Sequence, residues 1–225
     1  MTRQLPLPLP VRVAEGREDF FVAPANALAL SLIDAPETWA QGRMLLLGPE
    51  GAGKSHLAAI WASERGAVIR PAADLRPEAV ADLAATGAVV IEDAQHLAGQ
   101  AAAEQALFHL LNLTAAEGGR CLITAPCPPR DWGLRLPDLK SRLDATQSVR
   151  IAPPDEALLA AVLVKLFADR QLTVPQSLID WLVLRMERAL GTARAVVEAL
   201  DARALAEGRA ITRAMAAEVL DRLQG

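Results

Sequence analysis

The sequence predicts an α/β protein, a three-layer sandwich around a parallel sheet, followed by a small all-helical lid region. Three observations carry this. Short apolar runs alternate with helical segments between Arg43 and Ile151, and a Gly-x-x-x-x-Gly-Lys-Ser motif joins the first run to the first helical segment. After Pro153-Pro154 the strand signals stop and apolar residues recur at helical spacing. Unbroken apolar runs fit strands covered by helices on both faces, which is the environment of a parallel sheet.

Taken in order, residues 1–19 form an extended tail, because Pro6, Pro8 and Pro10 alternate with Leu5, Leu7 and Leu9 and no helix passes through such a run. Residues 44–47 are the first strand, and the helix after it runs from Lys54 to Arg65. Residues 67–69 precede a helical stretch over 77–86, and residues 88–91 precede a helix over 102–117. Residues 121–124 and 148–151 complete the strands. Residues 20–153 are therefore a base domain and 154–225 a helical lid. Four apolar stripes mark the lid: Leu158, Leu159, Val162, Leu163, Leu166 and Phe167; then Leu178, Ile179, Leu182, Val183 and Met186; then Val196, Val197 and Leu200; then Met215, Val219, Leu220 and Leu223. Pro175 suits a helix start, and Gly191 and Gly208 are expected in turns between helices.

Composition narrows the function. With 225 residues, 52% hydrophobic and 22% charged, the chain can bury a sizeable core and is not intrinsically disordered. A net charge of −4 gives no general electrostatic hold on nucleic acid. Two cysteines, Cys121 and Cys127, exclude a disulfide scaffold and a Cys-rich zinc site. There is no run of about 18 apolar residues, and the opening MTRQLPLPLP lacks a signal pattern, so a cytoplasmic protein without membrane association is expected.

The chemistry begins at Gly48-Pro49-Glu50-Gly51-Ala52-Gly53-Lys54-Ser55. Between a strand and a helix, such a loop turns backbone N–H groups toward a phosphate, and the helix adds its positive N-terminal end. Lys54 would reach the β- and γ-phosphates, Ser55 would ligate Mg²⁺, and His56 continues the nucleotide-binding turn. A second element, Val89-Val90-Ile91-Glu92-Asp93, ends an apolar strand in two acids: Glu92 at the metal position and Asp93 at the water-activating position. That order lengthens one arm by a methylene and shortens the other. Because catalysis of phosphoryl transfer is largely positioning, firm nucleotide binding with slow intrinsic hydrolysis is expected, a weak ATPase at most.

These motifs, with Gln95-His96-Leu97 and Phe108-His109-Leu110-Leu111-Asn112 after the acids, resemble AAA+ ATPases of the DnaA family, and within it the shorter Hda type. The likeness runs from about Phe20 to the C-terminus. Thr124-Ala125-Pro126-Cys127-Pro128-Pro129 is similar to the family's sensor 1 region, with Ala125 in place of a serine. Leu136-Pro137-Asp138-Leu139-Lys140-Ser141-Arg142-Leu143 looks like the Hda version of the segment that carries the arginine finger, which implies a catalytic role for Arg142. Gly191-Thr192-Ala193-Arg194 resembles sensor 2, which makes Arg194 a nucleotide contact, and Phe21, Val22 and Asn26 resemble part of an adenine pocket.

The resemblance further implies a role and partners. Gln4-Leu5-Pro6-Leu7-Pro8-Leu9 is similar to the clamp-binding peptide of the Hda type, with Gln4, Leu5, Leu7 and Leu9 as anchors on the DNA polymerase sliding clamp. The chain ends at Gly225, directly after the fourth lid stripe, so the DnaA-type DNA-binding domain and sequence-specific DNA binding are not expected. The role implied is that of an ADP- or ATP-binding adaptor that, with the DNA-loaded clamp, stimulates ATP hydrolysis on DnaA and so restrains replication initiation. The alternative is a stand-alone ATPase or helicase loader of the DnaA/DnaC type; a small-molecule P-loop kinase explains fewer of the motifs. Self-association stays open.

Overall fold

The computed structural model describes Arg17 and residues 20–224. The tail motif with Gln4, Leu5, Leu7 and Leu9 lies outside the described residues. Helix α1 (Ala27–Asp34) precedes β1 (Arg43–Leu47), and α2 (Lys54–Arg65) follows it. Then come β2 (Val68–Pro71), α3 (Val80–Ala85), β3 (Ala88–Glu92), α4 (Ala101–Ala116), β4 (Arg120–Ala125), α5 (Pro137–Asp144) and β5 (Ser148–Arg150). The strand order is β2-β3-β4-β1-β5 and every pairing is parallel. All strands therefore end on one side, where the loop after β1 and the acids after β3 meet.

Side chains alternate across the sheet, and each face has its own helices. Leu45, Leu47, Val89, Ile91, Cys121, Ile123 and Ala125 pack with Leu83 of α3, Leu107 and Leu110 of α4, and Leu139 and Leu143 of α5. Met44, Leu46, Val90 and Leu122 pack on the opposite face with Ile33 of α1 and with Leu57 and Trp61 of α2. Trp39 stacks on Trp61 with ring centroids 5.3 Å apart and donates its indole N–H to Leu32 O at 2.7 Å, so the aromatic pair is both packed and anchored. The central strands β1, β3 and β4 are buried nearly throughout, as their apolar runs predict. The edge strands β2 and β5 alternate instead, because a sheet edge leaves part of each strand to solvent.

Four helices complete the described chain: α6 (Glu156–Asp169), α7 (Gln176–Val183), α8 (Leu190–Glu207) and α9 (Arg213–Gln224). They share a separate core built from the predicted stripes, including Leu163, Phe167, Leu182, Val197 and Leu220. Asp155 starts α6 by accepting the Leu158 N–H at 2.8 Å. Gly208 closes α8 in the left-handed region, φ 61°, as expected of a turn glycine. Gly191 corrects the expectation: it lies inside the first turn of α8, where a glycine is tolerated because the helix is only beginning. Leu223 also departs from its stripe and is 46% exposed at the end of α9. No helix among the described residues is long and apolar enough to cross a membrane.

Candidate functional site

The loop between β1 and α2 is shaped by glycine. Gly51 and Gly53 have φ of 71° and 101°, which only a residue without Cβ adopts at low cost, and Gly53 leads into α2 without any side-chain cap on the helix. The first N–H groups of α2 thus keep their capacity for an anion. Lys54 is nearly buried, and its ammonium donates to Gly48 O at 2.8 Å and Pro49 O at 2.9 Å. Burial pushes its pKa down, while Asp93, Glu50 and Glu92 pull it back up. One cation thus faces three acids across the loop.

A cavity of about 480 Å³ opens at this end of the sheet. Gly51, Gly53, Lys54, Ser55 and His56 line it from the loop and α2, Asp93 from the end of β3, and Arg194 from α8. The size lies within the range of small-molecule sites. Helix α8 does more than border the cavity. Its Leu190 N–H donates to Gly51 O at 2.7 Å, so the helix start is bonded directly to the loop. Gly53 is also close to it, since a Cβ there would lie 3.3 Å from Leu190 Cδ1.

The two acids differ in setting. Asp93 is exposed in the left-handed region, φ 51°, and its N–H donates to the buried Thr124 hydroxyl at 3.1 Å. Glu92 is half-buried, and its Oε1 is shielded from solvent with no hydrogen-bond partner among the described residues. Ala125 points away from both, into the apolar core on the α4 side. The hydroxyl next to the acids is therefore that of Thr124, and Ala125 fills packing space.

The remaining sequence-predicted residues are distributed unevenly. Gly48, Pro49 and Ala52 belong to the loop without lining the cavity; Ala52 N–H donates to Pro49 O at 3.3 Å and Gly48 N–H to Ala125 O at 3.2 Å. Phe21 and Val22 are exposed, and neither they nor Asn26 border the cavity. Asn26 is buried with its amide in use: its Nδ2 donates to Phe21 O and its Oδ1 accepts from Ala23 N–H, both at 2.9 Å. It shapes the segment before α1.

Arg142 is also outside the cavity. It sits on α5, half-buried, with its guanidinium 5.1 Å from the centroid of the Phe108 ring on α4. Its charge helps lower the pKa of Arg43, after the larger effect of burial, so it lies near the start of β1. The glycine loop follows the far end of that strand, roughly 13 Å along it at about 3.3 Å per residue.

Glu50, Gln95, His96, Pro126, Leu190 and Gly191 complete the lining and were not singled out as site residues from sequence. For Gln95 and His96 a signal was present, since they directly follow the acids. Leu190 adjoins Gly191-Thr192-Ala193-Arg194 but reads as an ordinary apolar residue.

No protein-family model matches the chain. Among solved structures, domain III of the Thermotoga maritima replication initiation protein DnaA superposes with a TM-score of 0.78, at 18% identity over 95% of this chain and 98% of that one. The Thermotoga maritima RuvB Holliday junction branch migration motor gives 0.70, at 18% identity over 95% of this chain and 73% of that one. The chain has the AAA+ fold. AMPPCP-bound DnaA from Aquifex aeolicus gives 0.65, at 19% identity over 80% of this chain, which spans only 63% of that initiator.

Proposed function

We propose that this AAA+ chain is an adenine-nucleotide-binding adaptor that stimulates ATP hydrolysis on the replication initiator DnaA, working with the DNA-loaded sliding clamp. The observation that carries the trans-acting part is Arg142: a half-buried arginine on an aromatic shelf, away from the chain's own cavity and near the opposite end of β1. A guanidinium so held is available to a neighbouring subunit. As negative charge builds on the γ-phosphoryl oxygens of DnaA-bound ATP, its planar fork stabilises two of them at once. The DnaA likeness of the fold supports that choice of partner.

The residues at the cavity fit a bound nucleotide. Uncapped α2 N–H groups and Lys54 would hold its phosphates, with Lys54 exchanging the Gly48 and Pro49 carbonyls for phosphate oxygens. Arg194 would join them from α8. Mg²⁺ would neutralise phosphate charge. Ser55 and Glu92 are its proposed protein ligands, and the partnerless buried Oε1 of Glu92 is an acceptor suited to a cation or its water shell. Among the described residues no group of three or more His, Cys, Asp and Glu could hold a metal, in keeping with an ion held largely through phosphate and water. Residues 4–9 are the proposed clamp tether.

A stand-alone ATPase or helicase loader is the second reading, favoured by one observation: Asp93 lines the same cavity as Lys54 and Ser55. A single assay separates the two. Purified chain, loaded clamp and ATP-bound DnaA are mixed and conversion to ADP is followed, with each protein omitted in turn. Stimulation should require the clamp and should collapse with Arg142→Ala, by up to the 10³ to 10⁵ on the order of which arginine fingers act. Arg142→Lys should also be weak, because a point ammonium does not span two oxygens. Normal stimulation by Arg142→Ala refutes the finger; vigorous turnover by the chain alone favours the second reading.

A further inference from the structure

One buried carboxylate joins the cavity to the helix that carries Arg142. Glu104 of α4 is 1% exposed, and its oxygens accept the Gly99 N–H at 2.7 Å, the Arg135 N–H at 3.0 Å and the Leu136 N–H at 2.7 Å. A carboxylate out of water needs such donors, and here three backbone groups supply them. They come from two segments. Gly99 closes the turn over Ala94–Leu97 that brings Gln95 and His96 to the cavity wall, whereas Arg135 and Leu136 lead directly into α5.

The start of α5 has no side-chain cap of its own; Glu104 holds the two N–H groups that lead into it, while Leu139 and Leu143 pack its body into the core. One helical turn along α4 from Glu104, the Phe108 ring lies under the Arg142 guanidinium. Helix α4 therefore grips α5 twice, at its entry and at the arginine.

We infer that Glu104 is a positioning residue that ties the cavity-lining turn to α5, so that the ligand held in the cavity governs how Arg142 is presented to a partner. This rests on the trans-acting reading of Arg142 given above. A shift of the turn moves Gly99, the shared carboxylate transmits it to Arg135 and Leu136, and α5 follows. Because the interior is close-packed, a displacement of about an ångström at one end is passed on rather than absorbed.

The test uses the full chain and two readouts. In wild-type protein, exchanging ADP for AMPPCP should shift the backbone amide resonances of Gly99, Arg135 and Leu136 together with those of Gly53 and Ser55. Movement at Gly53 and Ser55 with silence at Arg135 and Leu136 overturns the tie alone. Silence at all five removes the nucleotide reading, and the tie with it.

In the DnaA assay, Glu104→Gln should cut stimulation by about tenfold or more while leaving ADP affinity within about threefold of wild type. It turns an amide N–H toward a backbone N–H that the carboxylate accepted. Stimulation within about twofold of wild type, or parallel loss of nucleotide binding, overturns the proposal. If Glu104→Gln does not fold, or if wild type fails to stimulate and so refutes the trans-acting reading, the amide measurement decides the tie.

Discussion

Gly51→Ala tests the bond between the glycine loop after β1 and α8 and can be calibrated against a glycine elsewhere. A Cβ built on Gly51 would overlap the Ala189 Cβ and stand 3.2 Å from its Cα, on a backbone with φ of 71°. Restoring ordinary carbon contact of about 3.5–4.0 Å requires the start of α8 to retreat by roughly 1 Å. The 2.7 Å bond from Leu190 N–H to Gly51 O then stretches beyond hydrogen-bonding range. The left-handed backbone costs about 1–2 kcal/mol, the overlap about 1–3 and the lost bond about 1, together about 3–6 kcal/mol.

Gly66 is the control. It caps α2 with φ of 65° and nothing lies within 4 Å of its virtual Cβ, so Gly66→Ala should cost only the backbone term of about 1–2 kcal/mol. At about 2–4 °C per kcal/mol for a chain of this size, Gly51→Ala should lower the melting temperature by about 6–24 °C and Gly66→Ala by about 2–8 °C. Thermal unfolding by circular dichroism, with urea titration for the free energies, measures both. Equal losses for the two variants would refute the claim that α8 bears on the loop at Gly51.

Three further outcomes are expected. Lys54→Ala should abolish adenine-nucleotide binding by calorimetry, and wild-type affinity should weaken with alkaline pH already below the ordinary lysine range, because burial lowers the Lys54 pKa and only the ammonium binds phosphate; unchanged affinity for the variant would sink the site. Burial raises the Cys121 pKa to about 12, so native protein should alkylate at the half-buried Cys127 and spare Cys121. The same raised value contributes stability that is present below the thiol's unfolded pKa of 9.0 and is lost as pH climbs toward about 12; mass spectrometry of labelled peptides and a pH series of unfolding curves check the two parts. A chain beginning near Val11 should keep the melting temperature of the full protein and lose its hold on the sliding clamp; undiminished clamp binding would move the tether elsewhere.

Much of this architecture was legible in residue order alone. The apolar runs at 44–47, 88–91 and 121–124 name the buried central strands because burial on both faces demands unbroken hydrophobicity, and the Gly-x-x-x-x-Gly-Lys-Ser motif names the loop because its geometry needs glycine and its chemistry needs a cation. These are local properties, written within a few consecutive residues. Helix α1 buries only Ala29 and Ile33 and α5 only Leu139 and Leu143, so neither carries the apolar stripe that marks α7 over the same eight residues, where Leu178, Ile179, Leu182 and Val183 are all buried.

The tertiary structure decided what depends on residues far apart in the chain. It set the strand order β2-β3-β4-β1-β5, brought Arg194 to the same cavity as Lys54, and bonded Leu190 to Gly51. It withdrew Phe21, Val22 and Asn26 from the cavity wall and gave Arg142 its aromatic shelf. It also turned Glu104, an unremarked helix acid in the sequence, into the acceptor of three backbone N–H groups. Periodicity tells a residue which way to face, but its partner is chosen by packing between segments tens of residues apart, and no local pattern encodes that choice.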